Sequence, residues 1–312
     1  MPTSVGMINF SFNRHPLTME SAVTTCGHFL KKCFVIIVLA FLFGCNKQTP
    51  LDITQAPGPQ SPYTLQPKGI ALSEHCKSYY EYLPEGYTSS ASNTKYPLLI
   101  FLHGGLELGN DSTELYKILK HGPLKHVSAG NFPTSFTVNG QTYKFIIIAP
   151  QFTTSENSYP DEIDNIIEYA KRHYKVDASR IYLTGLSVGA GMVWNYVGKN
   201  SNYARKIAAI VPIGSYIPET KDEFKINNGK AQVIASSNLP LWCTHNDADD
   251  ICPLSWEVNA INLVKSYNPS MHPQPKLTVF NAWGHEGWTQ TYDPNFKENN
   301  MNIYEWMLQY HR

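Results

Sequence analysis

The chain has 312 residues, of which 42% are hydrophobic, which is enough for one large folded domain and excludes disorder of the whole chain. Lys and Arg together number 25, Asp and Glu also number 25, and charged residues make up only 16% of the chain. Because this balance leaves no basic surface, we expect no nucleic-acid partner. The six Cys are too few for a disulfide scaffold, and they lack the CxxC spacing that indicates structural zinc.

The N-terminal residues have the pattern of an export signal. Lys31 and Lys32 precede eleven apolar residues, 33–43. A helix needs about 20 residues to span a bilayer, but eleven match the apolar region of a secretory signal. The sequence Leu-Phe-Gly-Cys at 42–45 resembles the end of a bacterial lipoprotein signal, which implies that Cys45 is lipidated. The alternative is an ordinary cleaved signal with a coincidental Cys45. We predict an exported protein of the bacterial envelope, periplasmic or on the cell surface, that contacts the membrane through its lipid anchor only.

A proline-rich segment follows this signal. Residues 46–68 contain five prolines among Gln, Thr, Ser and Gly and show no apolar periodicity. Such a segment buries too little apolar surface to offset the entropy lost on folding, and its prolines keep it extended. We therefore predict an export signal over residues 1–45, a linker over residues 46–68 and a single catalytic-sized domain over residues 69–312.

The remaining sequence alternates strand and helix patterns. An aromatic-rich strand pattern lies at residues 78–83, and apolar helical stripes lie at residues 163–170, 256–264 and 303–310. Short apolar runs of the kind buried on both faces of a parallel sheet recur six times, at residues 97–102, 145–149, 181–184, 207–211, 240–243 and 277–280. This alternation predicts a doubly wound, mostly parallel α/β sheet with helices on both faces. Ligands bind such sheets beyond the carboxyl ends of the strands, so the residues that follow each run form the candidate site.

The third apolar run leads directly into a GxSxG motif, Gly185-Leu186-Ser187-Val188-Gly189. In a nucleophile elbow the strand-to-helix turn is so tight that a Cβ at either glycine would clash, and the turn lifts the serine hydroxyl clear of the backbone. We predict that Ser187 is a catalytic nucleophile. The alternative is a glycine-rich turn whose serine only caps the helix.

The first apolar run is followed by His103-Gly104-Gly105. This sequence resembles the HGGG-type loop that supplies one amide of an oxyanion hole, the second amide coming from the residue after the nucleophile. The resemblance implies Gly105 and Val188 as the oxyanion-hole residues, whose N–H groups would stabilise the charge that develops on a carbonyl oxygen. We predict a structural role for His103, hydrogen-bonded within its loop.

Residues that could complete a triad follow the last two apolar runs. Asp247, Asp249 and Asp250 follow the fifth run, and His285 follows the sixth. A neutral imidazole takes the proton of a serine nucleophile, and a buried carboxylate holds the imidazole in the correct tautomer. The residues by themselves leave open which aspartate is the acid. This chemistry needs no metal and no organic cofactor, and we predict neither.

In these motifs the chain resembles the α/β-hydrolase superfamily, and more narrowly the bacterial esterases and peptidases related to polyhydroxybutyrate depolymerases, feruloyl esterases and acetylxylan esterases. Further segments that carry the resemblance lie at residues 82–87, 121–123, 148–151, 177–182 and 284–288. The acid motif of the family, His-Gly-x-x-Asp, matches His245 to Asp249 with Asn246 in place of glycine. This match implies Asp249 as the acid, with Asp247 as the second choice.

The motifs and the resemblance together predict a serine esterase that cleaves carboxylic esters through an acyl-enzyme, with the triad Ser187, His285 and Asp249. The resemblance implies a small-molecule or polysaccharide-linked ester as substrate, and favours carbohydrate-linked acetyl or feruloyl esters. Two alternatives remain open. One is a serine peptidase with the same triad, and the other is a binding module of the cell envelope without turnover.

Two further features near the predicted site each allow two interpretations. Cys243 and Cys252 bracket the acidic loop, and export would permit a disulfide between them. Four tryptophans close to the site in sequence are either core residues or an aromatic wall for an acyl group or sugar, namely Trp242, Trp256, Trp283 and Trp288.

Overall fold

The computed structural model describes residues 63–312. The predicted export signal and the lipidation site at Cys45 lie outside the described residues, as does most of the predicted linker. Within the described part of the chain, none of the helices has the length and apolar composition that crossing a bilayer requires.

Residues 63–312 contain ten β-strands and eight α-helices. The strands are β1 (Thr64–Lys68), β2 (Cys76–Leu83), β3 (Tyr96–Leu102), β4 (Phe136–Val138), β5 (Gln141–Tyr143), β6 (Ile146–Phe152), β7 (Val176–Leu186), β8 (Ala209–Ile213), β9 (Trp242–Ala248) and β10 (Lys276–Trp283). The helices are α1 (Gly122–Ser128), α2 (Pro160–His173), α3 (Val188–Lys199), α4 (Ser201–Lys206), α5 (Asn228–Ser236), α6 (Leu254–Tyr267), α7 (Trp288–Tyr292) and α8 (Ile303–Met307). Two short 3₁₀ segments lie between β3 and α1, at Gly105–Glu107 and Leu115–Lys120.

Eight of the strands form one sheet in the order β1-β2-β6-β3-β7-β8-β9-β10, and β4 and β5 form a separate hairpin. The strands from β6 to β10 in this order run parallel, whereas β2 is antiparallel to β6 and β1 is antiparallel to β2. The predicted mostly parallel α/β sheet is therefore confirmed. Its two antiparallel strands lie together at one edge.

Both faces of the sheet are covered by helices. Along β3, Leu98 and Ile100 pack in a buried cluster with residues of α2, α3, α5 and α6. The intervening residues Leu99 and Phe101 pack in a second buried cluster with residues of α1, α7 and α8. Because successive side chains of a strand point to opposite faces, a strand covered on both sides is apolar at every position. This is why β3 appears in the sequence as a continuous apolar run.

The boundary predicted between linker and domain is wrong. Residues 64–68, assigned to the linker, form β1, which pairs with β2 along its whole length. Pro67 suggested an extended spacer, but proline is tolerated in a strand at the edge of a sheet, where one side of the backbone needs no partner. Leu65 also packs against the second buried cluster, so the folded part of the chain includes β1.

The topology brings the candidate site residues to one edge of the sheet. The segments that follow β3, β7, β9 and β10 contain, in that order, the His-Gly-Gly sequence, Ser187, Asp249 and His285. These four strands are parallel, so their carboxyl ends face the same side of the molecule.

Candidate active site

Ser187 lies in a strained turn between β7 and α3. Its backbone has φ 54° and ψ −120°, a conformation that costs free energy for a residue with a Cβ. The surrounding backbone holds it there, since the Ser187 N–H donates to the carbonyl of Ile213 at 2.9 Å and the Ser187 carbonyl accepts from the Tyr216 N–H at 3.0 Å. A Cβ placed on Gly189 would lie 2.2 Å from the carbonyl oxygen of Leu102, so only glycine fits there.

The structure brings Ser187, His285 and Asp249 into one hydrogen-bonded chain. The Oγ of Ser187 lies 2.8 Å from Nε2 of His285, and Nδ1 of His285 lies 2.7 Å from Oδ2 of Asp249. A carboxylate only accepts, so Nδ1 carries the proton of the neutral imidazole and Nε2 accepts from the serine hydroxyl. In this tautomer His285 can remove the proton of Ser187.

Asp249, rather than Asp247, is the carboxylate in contact with His285. Its side chain is fully buried, and its Oδ1 accepts from the backbone N–H groups of Ile251 at 2.9 Å and Cys252 at 2.8 Å. Asp247 is exposed and accepts instead from the N–H of Ala282 at 3.0 Å. Asp247, the second choice for the acid of the triad, therefore contacts the backbone of Ala282 instead of His285.

Asn246, which stands where the resembled family has glycine, joins the two loops of this hydrogen-bonded chain. Its amide Nδ2 donates to the carbonyl of Gly284 at 2.9 Å, directly before His285. A Cβ on Gly287 would approach Asn246 Oδ1 to 3.1 Å, so the loop packs closely on this side chain. The asparagine therefore leaves Asp249 in contact with His285 and anchors the histidine loop.

His103 orients the peptide group that precedes Gly105. The N–H of Phe152 donates to Nε2 of His103 at 2.9 Å, which leaves the proton on Nδ1, and Nδ1 donates to the carbonyl of Gly104 at 2.7 Å. Burial lowers the pKa of His103, so the ring is neutral at pH 7. In a planar trans peptide the N–H points opposite to the C=O, so the N–H of Gly105 points away from this ring.

The two predicted oxyanion residues lie side by side next to Ser187. A Cβ on Gly105 would lie 3.7 Å from Cγ2 of Val188, and a Cβ on Gly104 would lie 3.6 Å from Cβ of Ser187. Val188 is the first residue of α3, so its N–H has no acceptor within the helix. Two backbone donors are thus available near the serine hydroxyl.

A small apolar cavity of about 50 Å³ opens beside Ser187. Its lining is Gly104, Gly105, Leu106, Glu107, His121, Leu186, Ser187, His285 and Trp288. Trp288 contacts the ring of His285 edge-on, with ring centroids 5.1 Å apart, and lies in the same way against His121 at 5.8 Å. Of the four tryptophans considered from the sequence, Trp288 lines this cavity, whereas Trp242 is core and Trp283 is 79% exposed.

The Glu107–His121 pair at this cavity was not assigned a role from the sequence. Glu107 is 2% exposed, and its Oε1 accepts from Nδ1 of His121 at 2.7 Å. Burial raises the pKa of Glu107, but the hydrogen bond from His121, the nearby histidines and the backbone of Gly104 together outweigh it, so the pKa of the carboxyl is below its usual value. The sequence signals were the position of both residues shortly after β3 and the place of His121 in the segment 121–123, which carries the family resemblance.

Cys243 and Cys252 are both free, so the disulfide considered for them is wrong. Cys243 belongs to β9 and packs in the core cluster formed with α6. Cys252 points elsewhere, with its Sγ 3.9 Å from Nε2 of His285. Among residues 63–312, no group of three or more His, Cys, Asp and Glu side chains is placed to hold a metal ion.

Comparison with known proteins places this geometry in a known fold. No family model matches the chain. A thermostable esterase superimposes with a TM-score of 0.53 at 17% identity, covering 80% of this chain and 63% of that protein. A protein of Klebsiella pneumoniae subsp. pneumoniae MGH 78578 assigned as a dienelactone hydrolase superimposes with a TM-score of 0.51 at 14% identity, covering 79% and 96%. The chain has the α/β-hydrolase fold.

Two further similarities are to proteins named as esterases. A ferulic acid esterase superimposes with a TM-score of 0.50 at 15% identity and covers 73% of this chain and 92% of that one. In sequence, the chain is 23% identical over 169 residues to a bifunctional acetylxylan esterase/xylanase of Neocallimastix patriciarum. This match covers 52% of the chain and only 21% of that relative, so the chain spans about a fifth of its length. The first of these proteins is similar to this chain in fold, and the second is similar to it over part of the sequence.

Proposed function

We propose that this α/β-hydrolase is a serine esterase that cleaves carboxylic esters. The observation that carries the proposal is the continuous hydrogen-bonded chain from Asp249 through His285 to Ser187, with spacings of 2.7 and 2.8 Å. It ends on a serine held in an elbow beside the N–H groups of Gly105 and Val188. This combination supports nucleophilic acyl transfer, which none of these groups performs alone.

In the acylation half of the reaction, Ser187 Oγ attacks the carbonyl carbon of the ester and its proton passes to Nε2 of His285. The carbonyl oxygen becomes an oxyanion, to which the N–H groups of Gly105 and Val188 donate. Asp249 remains ionised and stabilises the imidazolium that forms. When the tetrahedral intermediate collapses, the bond to the leaving alkoxy group breaks and His285 gives its proton to the departing alcohol.

Hydrolysis of the acyl-enzyme repeats these steps with water. A water molecule attacks the acyl carbon while His285 accepts one of its protons. The bond to Ser187 Oγ then breaks, and the proton on His285 returns to the serine. The products are a carboxylic acid and the enzyme with its free hydroxyl.

For the acyl group we propose acetyl as the better fit. The cavity beside Ser187 holds about 50 Å³, far below the ~300–1,000 Å³ of pockets that enclose drug-sized ligands. Its lining by Leu106, Leu186 and Trp288 suits a methyl group. The partial sequence match to an acetylxylan esterase/xylanase supports a carbohydrate-linked acetyl ester, and the ferulic acid esterase of similar fold keeps feruloyl esters as the second substrate to test.

The direct test is hydrolysis of p-nitrophenyl acetate, acetylated xylan and methyl ferulate by the purified protein and by Ser187→Ala. We expect the variant to lose at least about 10³-fold in kcat, because the nucleophile is gone. Ser270→Ala is the matched control, since Ser270 is exposed and bonds only to Asn268. Unchanged hydrolysis by Ser187→Ala would overturn the proposal. Faster cleavage of a peptide panel would favour a peptidase, and no turnover with no fluorophosphonate labelling would favour a binding module.

We also propose that the enzyme acts in the bacterial envelope, attached through a lipid on Cys45. The support is the sequence pattern of residues 31–45 alone. Metabolic labelling with an alkyne fatty acid is expected to label the wild-type protein and Cys26→Ser, and not Cys45→Ser. Labelling of Cys45→Ser at the wild-type level would contradict the anchor.

A further inference from the structure

A second histidine and a second carboxylate lie directly behind Asp249. His245 of β9 and Glu257 of α6 both have fully buried side chains. Nδ1 of His245 lies 3.3 Å from Oε2 of Glu257. Nε2 of His245 lies 2.7 Å from the carbonyl oxygen of Cys252 and 3.4 Å from Oδ2 of Asp249. The same carboxylate oxygen of Asp249 therefore faces both His245 and His285.

The contacts of Glu257 show that it is a carboxylate. Its Oε1 accepts from the indole Nε1–H of Trp194 at 2.9 Å, and its Oε2 accepts from the N–H of Ser215 at 3.2 Å. Indole and backbone N–H groups only donate, so both oxygens already act as acceptors. A proton on either oxygen would compete with one of these donors.

With Glu257 as a carboxylate, the contacts of His245 are those of an imidazolium. Both of its nitrogens face acceptors, the carboxylate of Glu257 on one side and the Cys252 carbonyl with Asp249 on the other. A neutral imidazole has one N–H and would leave the other nitrogen against an oxygen with no proton between them. Burial lowers the pKa of His245, but the hydrogen bond with Glu257, the negative charges of Glu257 and Asp249 and the Cys252 carbonyl together outweigh it, and the pKa is raised overall.

The other titratable groups around this pair do not alter its charge. Burial raises the pKa of both nearby thiols, those of Cys243 and Cys252, above the ordinary value for cysteine. Each thiol is therefore neutral at pH 7. The charged groups in the row are therefore Glu257, His245, Asp249 and, during turnover, His285. Their signs alternate along the row.

We propose that His245 and Glu257 are positioning residues, a buried imidazolium–carboxylate pair that holds Asp249 as a carboxylate and sets the proton affinity of His285. The inference rests on the proposed esterase function. The cation at His245 stabilises the negative charge of the fully buried Asp249 and repels a proton arriving on His285. It thereby keeps the catalytic imidazole neutral over a wider range of pH.

The test compares the wild-type protein with the double variant His245→Gln/Glu257→Gln. This variant removes both buried charges together, and so avoids leaving one of them unpaired. We expect the acid limb of the kcat/KM profile to move upward by about one pH unit, because the cation next to Asp249 is lost. Thr244→Val is the matched control, since Thr244 is buried beside His245 on β9 and carries no charge. Its acid limb is expected to stay in place.

Nitrogen NMR of the histidine side chains provides a readout that does not depend on turnover. In the wild-type protein we expect both nitrogens of His245 to be protonated between about pH 6 and 8, while His285 titrates at a lower pH than in the double variant. A neutral His245, or an unmoved pKa of His285, would overturn the inference. An inactive wild type would refute the esterase, and the same spectra would still decide the charge of His245.

Discussion

Two hydrogen bonds to the ring of His103 determine where the backbone of the oxyanion loop points. The N–H of Phe152 donates to Nε2 of His103, and the N–H at Nδ1 donates to the carbonyl of Gly104. A second proton on this ring would face the N–H of Phe152, so protonation is opposed by the same contact that orients the loop. Burial, which lowers the pKa of His103, acts in the same direction. The same contacts therefore keep the ring of His103 neutral and orient the N–H of Gly105.

His103→Gln is predicted to lower kcat for p-nitrophenyl acetate by about 10²-fold, the cost of a misplaced oxyanion donor. It should also change the pH dependence of stability. A histidine with a lowered folded-state pKa binds fewer protons than the unfolded chain, so it makes the native state lose stability as the pH falls below about 6.5. Urea unfolding at pH 8 and pH 5.5 should therefore show the free-energy difference between wild type and variant shrinking at the lower pH. A difference independent of pH would contradict a neutral His103.

Sequence patterns predicted the elements of the sheet better than their ends. The six apolar runs correspond to β3 and to β6 through β10. The runs in β3 and in β6 through β9 are buried at every position, because strands covered on both faces must be apolar throughout. β10 lies at the edge of the sheet, and in its run only Phe280 is buried. β9 continues through the polar residues Thr244 to Asp247, because its end leads into the candidate site. β1 and the β4–β5 hairpin have no comparable apolar run, and neither was predicted.

The contacts of the site were predictable only where a motif identified the residue. The GxSxG sequence, the chain order and the acid motif pointed to Ser187, Asp249 and His285, and the structure brings these three together. Glu257 carried no such signal. It lies in the first turns of α6, where an acidic residue usually faces solvent, and its burial against Trp194 depends on packing between α3 and α6 that periodicity does not reveal.

The segment that leads into α7 places Trp288 against the cavity beside Ser187, so in the proposed reaction this side chain limits the size of the acyl group. We predict that kcat/KM falls from p-nitrophenyl acetate to the butyrate and octanoate esters in the wild-type protein. Trp288→Ala should raise the rate on butyrate relative to acetate at least several-fold. Trp283→Ala is the matched control, since this side chain is 79% exposed and does not line the cavity. Equal preference in the wild type and Trp288→Ala would argue against this acyl site.

At the scale of the whole domain, the candidate active site and the contacts of the C-terminal residue lie at opposite ends of the parallel strands. The site occupies the carboxyl ends of β3, β7, β9 and β10. Arg312 lies at the other ends, where its backbone N–H donates to Ser179 at 2.9 Å. Its guanidinium donates to the carbonyls of Ile207, Ser237 and Ala204 at 2.6, 3.1 and 3.4 Å. One side chain thus joins the C-terminal end of α4 to that of α5.

Arg312→Ala is predicted to lower the free energy of unfolding by about 1.5–3 kcal/mol, the range for hydrogen bonds to a charged group. Activity at 25 °C should be unchanged, because the substitution is remote from Ser187. Thermal unfolding and kcat/KM measured on the same preparation test both statements. Arg172→Ala, an exposed position on α2, is the control and should change neither. Lost activity with unchanged stability would contradict the separation of the two ends.

The decisive experiment on the proposed nucleophile is to trap the acyl-enzyme. The protein is mixed with p-nitrophenyl acetate, quenched in acid within the first turnover, digested and examined by peptide mass spectrometry. If Ser187 is the nucleophile, a single acetyl group is expected on the peptide that contains Ser187, and none in His285→Ala under the same conditions. Rapid hydrolysis with no acetyl group on Ser187, or with the acetyl group on another residue, would contradict it.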